Sequence, residues 1–187
     1  MSARPRSLAA LAFGMGALAA VASGATAHTG GSTGYASVLI SGSTVRYSLT
    51  LAPVALPAEL AEVIRLARAG RPASREWLLG LIRRQVKLRA SGVDCEAGPG
   101  FVEVGSLEVE SVTLVVDFAC PTPMHDLVVR DDIFDVLGPD HHTLAKVESP
   151  GGTEQFAFAP DAREARVVLG GGGEVGRGAV RDRKSVV

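Results

Sequence analysis

The chain has 187 residues, with 19 Lys or Arg against 20 Asp or Glu, and its formal net charge is −1. This near-neutral balance excludes a strongly basic nucleic-acid-binding protein, which would show an excess of Lys and Arg. The length suits one domain that is large enough to bury a substantial core.

The first residues have the pattern of a secretory signal peptide. A positively charged start, an uncharged apolar segment at 7–21 and small residues at 25–27 fit the sequence rule for signal-peptidase cleavage. The apolar segment is short and interrupted by glycine, whereas a membrane span needs roughly 20 apolar residues. We expect residues 1–27 to be removed between Ala27 and His28, leaving His28 as the new N-terminus. An uncleaved anchor is the alternative.

The segment after the signal predicts a β-hairpin. Apolar and polar residues alternate from Val45 to Leu51, which is the period of a half-buried strand. Residues 35–40 are rich in β-branched and apolar residues, and the Ser-Gly-Ser sequence at 41–43 is typical of a turn between two strands.

Two short helices are predicted next, over residues 57–70 and 72–85. Both show apolar residues at helical spacing. Gly70 can end the first helix. Ser74 is a candidate cap for the second, and Trp77 is expected to anchor that helix in the core.

From residue 86 onward the sequence predicts strands again. The segment 106–120 alternates, but its phase shifts near Glu110-Ser111, which indicates a bulge or a break there. Four further extended segments are expected between residues 125 and 169, the first of them at 125–137. Many short strands separated by turns favour a mainly β, antiparallel, Ig-like sandwich over residues 28–170, with the two helices as an insertion.

The chain has two cysteines, Cys95 and Cys120. In an exported protein a single pair most simply forms a disulfide. Closing a loop of this size stabilises a fold by roughly 3 kcal/mol on the chain-entropy model. The alternative is a metal site with two thiolates, for which only His125 is nearby in sequence.

No hydrolase, phosphate-loop, dinucleotide-binding or zinc-protease motif is present in the sequence. With histidines and acids scattered over predicted loops, we do not expect an enzyme.

The sequence VLGPDHHTLAKVE contains the best candidate site. Asp140, His141 and His142 follow a Gly-Pro turn, and imidazole with carboxylate suits Ni, Cu or Zn. Neighbouring residues of an extended segment point to opposite faces, so the two histidines are not expected to chelate one ion together. The freed amine and imidazole of His28 are the best additional ligands, with His125 a weaker choice. The alternative is a polar turn in which a histidine only holds the loop.

The order of these features resembles the exported N-terminal domain of the HupE/UreJ family, over roughly residues 27–169. The similarity lies in the Ala-His start, a first strand with Tyr, a helix before the first Cys, Cys120-Pro121, and an Asp-Pro-x-His-like turn before a Leu-containing strand. His141 matches the turn histidine of the family. Gly138 stands where an acid is expected before Pro139, so either Asp140 replaces that acid or its role is lost.

The resemblance implies a bacterial membrane protein whose exported β domain precedes transmembrane helices, in some cases associated with nickel supply. No such helices follow in this chain, so we expect a gene fragment. Residues 171–187 are expected to be a disordered or artefactual tail, because DRKSVV resembles a translated sequencing adapter. Three functions follow: an extracytoplasmic domain accessory to metal transport or sensing, an envelope interaction module without a ligand, or a periplasmic metal chaperone. The expected partner is the absent transmembrane part or another envelope protein.

Overall fold

The computed structural model describes residues 31–106 and 110–169. The predicted signal peptide, its cleavage site with His28, and the predicted tail lie outside these residues. Ten strands in two sheets and three short helices make up the described part. In chain order, the elements are β1 (Thr33–Ser41), β2 (Thr44–Leu51), α1 (Ala58–Arg68), α2 (Pro72–Gln85), β3 (Val86–Ala90), β4 (Val93–Asp94), β5 (Glu96–Val104), β6 (Val112–Ala119), β7 (Asp126–Asp131), α3 (Phe134–Leu137), β8 (His142–Ser149), β9 (Gly152–Phe158) and β10 (Glu164–Val168).

The larger sheet has six strands in the order β5-β6-β2-β1-β8-β9. Its centre is the predicted hairpin β1–β2, in which every second residue is buried. Strand β8 pairs with β1 in parallel, with Thr33 opposite His142, while the other pairs in this sheet are antiparallel. The parallel pair places the start of β1 beside the start of β8, and this adjacency positions the candidate site.

The second layer consists of a four-stranded antiparallel sheet, β10-β7-β3-β4, together with helices α1 and α2. Helix α2 packs on β5 and β6, and the inward side chains of both sheets and both helices form one hydrophobic cluster. The predicted β-sandwich with a helical insertion is therefore confirmed. No helix in the described ranges is long and apolar enough to cross a bilayer. The largest fully buried side chains are Tyr47, Phe118, Phe158, Leu49, Leu51, Ile64, Leu78, Leu81, Ile82, Leu88, Leu114 and Leu127.

The helices occupy their predicted positions, but two predicted roles are wrong. Helix α2 begins at Pro72 with Arg71 as its N-cap and no side-chain cap, because proline can occupy the first helical position, so Ser74 lies inside the helix. Trp77 is 42% exposed, since the buried face of α2 is formed by aliphatic residues that follow it. Gly70 does end α1, with φ at 82° and its amide donating to Ala67.

Three further predictions concern the second half of the chain. Strand β6 begins only at Val112, directly after the predicted break at residues 110–111, and residues 107–109 are not described. The segment 125–137 is not extended throughout, because β7 ends at Asp131 and a helical turn, α3, follows. The disulfide between Cys95 and Cys120 is present.

Candidate functional site

The Gly-Pro-Asp-His-His segment forms the turn between α3 and β8. Gly138 has a φ of 104°, a region that favours glycine, and its carbonyl accepts a hydrogen bond of 3.0 Å from the amide of His141. His141 is only 1% exposed, whereas Asp140 and His142 on either side of it are exposed. The two histidines therefore point to opposite sides, and Asp140 and His142 are both open to solvent.

Both ring nitrogens of His141 have protein partners. Nδ1 lies 2.6 Å from the hydroxyl oxygen of Ser32, and Nε2 lies 3.4 Å from the hydroxyl oxygen of Thr143. The ring also packs near Phe134, with ring centroids 6.4 Å apart. The ring of His141 is therefore buried and not exposed to solvent. A metal ion could reach a ring nitrogen only by displacing one of these hydroxyl groups.

The hydrogen bonds continue into the core. Thr143 also bonds the carboxylate of Asp131, a fully buried side chain that accepts from the amide of Ile133 at 2.9 Å. The hydroxyl of Tyr47 donates to the same carboxylate at 3.4 Å. We call the five side chains that are linked in this way the buried polar network: Ser32, His141, Thr143, Asp131 and Tyr47.

One arrangement of protons satisfies the hydrogen bonds that link Ser32, His141, Thr143 and Asp131. The Thr143 hydroxyl donates to Asp131 and accepts from the Nε2–H of His141, so that Nδ1 is free to accept the hydroxyl proton of Ser32. This arrangement requires a neutral imidazole. Burial, with a smaller contribution from the neighbouring His142, lowers the pKa of His141 to about 4. His141 is therefore neutral at pH 7.

The same burial acts on the two acidic members of the network. It raises the pKa of Asp131, against the opposing effect of the hydrogen bonds from Ile133, Thr143 and Tyr47. It also raises the pKa of Tyr47 well above its ordinary value, with the Asp131 charge adding to the shift. The hydroxyl of Tyr47 therefore remains protonated and available as a donor at physiological pH.

The first residues of the described chain run alongside the turn. The amide of His142 donates to the carbonyl of Ser32 at 3.0 Å. A Cβ added to Gly31 would lie 2.3 Å from the carbonyl oxygen of Asp140, so only glycine allows this close approach. A cleft of about 280 Å³ opens at this point, and its lining includes Ser32, Asp140 and His141.

The described ranges contain no group of three or more His, Cys, Asp or Glu side chains that could hold a metal ion. Of the predicted ligands, Asp140 and His142 are exposed, His141 is buried, and His28 falls before the described residues. His125 belongs to a different loop, in which its amide donates to the hydroxyl of Ser91 at 2.9 Å.

A second surface feature lies on the outer face of the six-stranded sheet. It is a groove of about 800 Å³ with serine and threonine on its floor, and we call it the hydroxyl groove. Tyr35 and Leu144, which are 60% and 45% exposed, stand on it side by side because their strands are paired in that register. Its lining comprises Tyr35, Ala36, Ser37, Ser48, Thr50, Thr113, Leu144, Ala145, Lys146, Gln155, Phe156 and Ala157.

Sequence reasoning found the turn but missed the residues that hold it. Ser32, Thr143, Asp131 and Tyr47 come from four separate segments, and nothing in their local sequence marks them as partners of His141. The one signal was the alternation of β2 and β8, which predicts that Tyr47 and Thr143 point inward.

No protein-family model matches this chain, and a search of curated proteins finds no significant match. The resemblance to the HupE/UreJ family therefore stays a prediction.

Proposed function

We propose that this chain is the extracytoplasmic domain of a HupE/UreJ-like membrane protein and binds a first-row metal ion, Ni, Cu or Zn, where the polypeptide enters the sandwich. The observation that carries the proposal is the exposure of Asp140 and of His142 in a turn whose Asp140 carbonyl oxygen lies directly beside Gly31. The role of such a domain would be to deliver or sense the ion for the membrane part.

The length of the chain supports the contribution of His28. Only two residues stand between His28 and Gly31, and an extended chain spans at most about 3.5 Å per residue. A residue at position 28 is thus within about 10 Å of Gly31, which itself contacts Asp140. After cleavage at Ala27, both the amine and the imidazole of His28 would be within reach of the turn.

The chemistry of these groups suits a first-row divalent ion. An amine, two imidazoles and a carboxylate together supply nitrogen and oxygen ligands of the kind that Ni, Cu and Zn prefer. The disulfide is compatible with the oxidising compartment in which a secreted domain would meet such ions.

A calorimetric titration of the exported and processed chain with Ni, Cu and Zn tests the proposal. We expect saturable binding at micromolar concentration or tighter for at least one ion, and a loss of at least tenfold in affinity for His142→Ala. His125→Ala is the matched control, because His125 is exposed but lies in another loop. Equal affinity in all three proteins, or no binding to the unaltered chain, would contradict the proposal.

A second candidate function is an interaction module that docks on a membrane part of the same protein or on another envelope protein. The specific observation is the contrast between the hydroxyl groove and the outer face of the four-stranded sheet. The hydroxyl groove has Lys146 as its one charged lining residue, and Lys146 pairs with Glu148. The outer face of the four-stranded sheet instead carries ion pairs such as Arg130–Glu164 and Arg166–Asp126.

Site-specific photo-crosslinking in cells distinguishes this second candidate. A photoreactive residue replacing Tyr35 should capture a specific envelope partner, whereas the same residue replacing Arg89 on the charged face should not. Crosslinks of equal yield at both positions, or at neither, would exclude the hydroxyl groove as a docking surface.

A further inference from the structure

We infer that the free edge of β9 pairs with the same edge of a second copy of this chain and forms a symmetric dimer. Strand β9 is the last strand of the six-stranded sheet and, within the described residues, pairs only with β8. Hydrogen-bonded positions alternate along an antiparallel pair, so every second residue of β9 turns its backbone amide and carbonyl away from β8. A row of unpaired donors and acceptors of this kind can bind another strand.

The other three sheet edges carry features that oppose the addition of a strand. Strand β5 contains Pro99, and its register with β6 shifts between Ala97 and Gly100. Strand β10 has five residues, and its Glu164 and Arg166 form ion pairs. Strand β4 has only two residues. Proline, irregular register, charged side chains and short length are the usual means by which proteins protect an edge.

Strand β9 has none of these features except a single charge. It has seven residues without proline, and its pairing with β8 runs from Gly152 to Phe158 without a shift. Its one charged residue is Glu154. The first four residues of the strand and Ala157 are exposed, so this edge lies open on the surface of the described residues. Among the four edges, β9 is therefore the one suited to pairing with another strand.

The sequence of β9 is complementary to itself in one register. In a twofold-symmetric antiparallel pair whose axis passes through Gln155, that residue lies opposite its own copy and all seven residues of the strand are paired. Glu154 then lies opposite Phe156 of the second copy, so no two carboxylates are directly opposed. An axis through Glu154 would pair fewer residues and would place two carboxylates opposite each other, which is unfavourable.

This symmetry determines the shape of the dimer. A twofold axis between two antiparallel edge strands is perpendicular to the sheet, so the two six-stranded sheets become continuous and both hydroxyl grooves open on the same side. A strand of seven residues is roughly 24 Å long. Because such a contact is narrow compared with the interfaces of permanent dimers, we expect a dimer that exchanges with the monomer and has a Kd in the micromolar range.

Sedimentation velocity of the processed chain tests the dimer, at concentrations from about 5 to about 500 µM and with a chelator present to exclude metal ions. The average mass should rise from that of the monomer towards that of the dimer. Gln155→Lys should raise the Kd of dimerisation about fivefold or more, because two ammonium groups would be opposed at the axis. Val93→Lys is the matched control and should leave the Kd unchanged, since it adds the same charge at an exposed position of β4.

Thiol crosslinking checks the register without depending on charge. The chain has two cysteines, and both are in the disulfide between Cys95 and Cys120. A cysteine introduced at residue 155 would be the only free thiol, and its side chain would lie about 5 Å from its own copy across the axis. A short thiol-specific crosslinker should therefore join Gln155→Cys into a covalent dimer in high yield, and Val93→Cys should stay largely monomeric.

Three results would overturn the inference. They are a monomer at every concentration, a dimer whose Kd does not change in Gln155→Lys, and equal crosslinking yields for Gln155→Cys and Val93→Cys. Because neither experiment involves a metal ion, failure of this inference and failure of the proposed function are distinguishable.

Discussion

His141 shows how a histidine in a turn can belong to the core. Its ring is almost fully buried, accepts from Ser32, and is held in one tautomer by Thr143 and Asp131. An unpaired polar ring in this position would be costly, so the hydroxyl partners offset the loss of hydration. Protonation of this ring should therefore destabilise the structure around it.

Acidification should destabilise the domain through His141. Its pKa in the folded state is lowered to about 4, from an ordinary value of 6.5. Its contribution to stability is complete above pH 6.5 and is lost as the pH falls towards 4, for a total of roughly 3 kcal/mol. Chemical unfolding at pH 7, 5.5 and 4 measures this loss.

His141→Gln provides the comparison for the pH experiment, because glutamine does not titrate. The raised pKa of Asp131 acts in the opposite direction, since its protonated form is favoured in the fold, and other carboxylates also titrate on acidification. The difference between the two proteins isolates His141. An identical loss of stability in His141→Gln would show that this imidazole is not the group that titrates.

At the level of single residues, the sequence predicted part of the candidate site. Alternation predicted that His141 and His142 point to opposite sides, and this prediction is confirmed. It did not reveal which of the two is buried, because that depends on Ser32, a residue far away in the sequence, meeting the ring.

Among the secondary-structure elements, β5 contains a close contact that depends on glycine. Its register with β6 shifts between Ala97 and Gly100, and a Cβ on Gly100 would lie 2.5 Å from the carbonyl oxygen of Val115. The same Cβ would also crowd Leu79 of α2 at 3.1 Å. This irregularity allows the helix to pack closely on the sheet.

Gly100→Ala should therefore lower the free energy of unfolding by about 1–3 kcal/mol, the usual cost of overpacking. Gly151→Ala is the matched control, because its Cβ would meet only Ser149 at 3.7 Å, and it should change stability by less than about 0.5 kcal/mol. Urea unfolding of the two variants and the unaltered chain makes the comparison. Equal stability of the two variants and the unaltered chain would show that β5 and α2 can move apart freely to accommodate the added methyl group.

The disulfide ties the residue that precedes β5 to the residue that follows β6. Replacing both Cys95 and Cys120 with Ser should lower the free energy of unfolding by roughly 3 kcal/mol, because the unfolded chain regains the freedom of a closed loop. Thermal unfolding of the oxidised protein, the reduced protein and the double variant measures the effect. If all three unfold at one temperature, the bond contributes nothing beyond the pairing of the two strands.

Errors in the predicted elements have a common physical cause. Trp77 was expected in the core from its size and apolar character, but the helical face that meets the sheet is set by Leu78, Leu81 and Ile82. The segment around Phe134 is apolar enough for a strand, yet it forms α3 because the network at Asp131 turns the chain there. Both outcomes depend on tertiary contacts, which the local sequence pattern does not contain.

Across the whole molecule, the parallel pairing of β1 with β8 is the feature that builds the candidate site. It brings residue 32 next to residue 141, which is 109 positions later in the chain. Alternation predicted the sandwich and the central hairpin from nearby residues, and these are confirmed. The parallel pair could not be predicted in this way, because a strand pattern does not state its distant partner or direction.

The measurement that tests the metal proposal most directly is a Cu²⁺ titration of two proteins that differ only at the N-terminus. One begins at His28, and the other carries a single extra alanine before it, which removes the free amine from that histidine while leaving the residues from 31 to 169 unchanged. Affinity for the first protein that exceeds affinity for the second by at least tenfold is the predicted result. Equal affinity, or no binding by either protein, would contradict a site that joins His28 to Asp140 and His142.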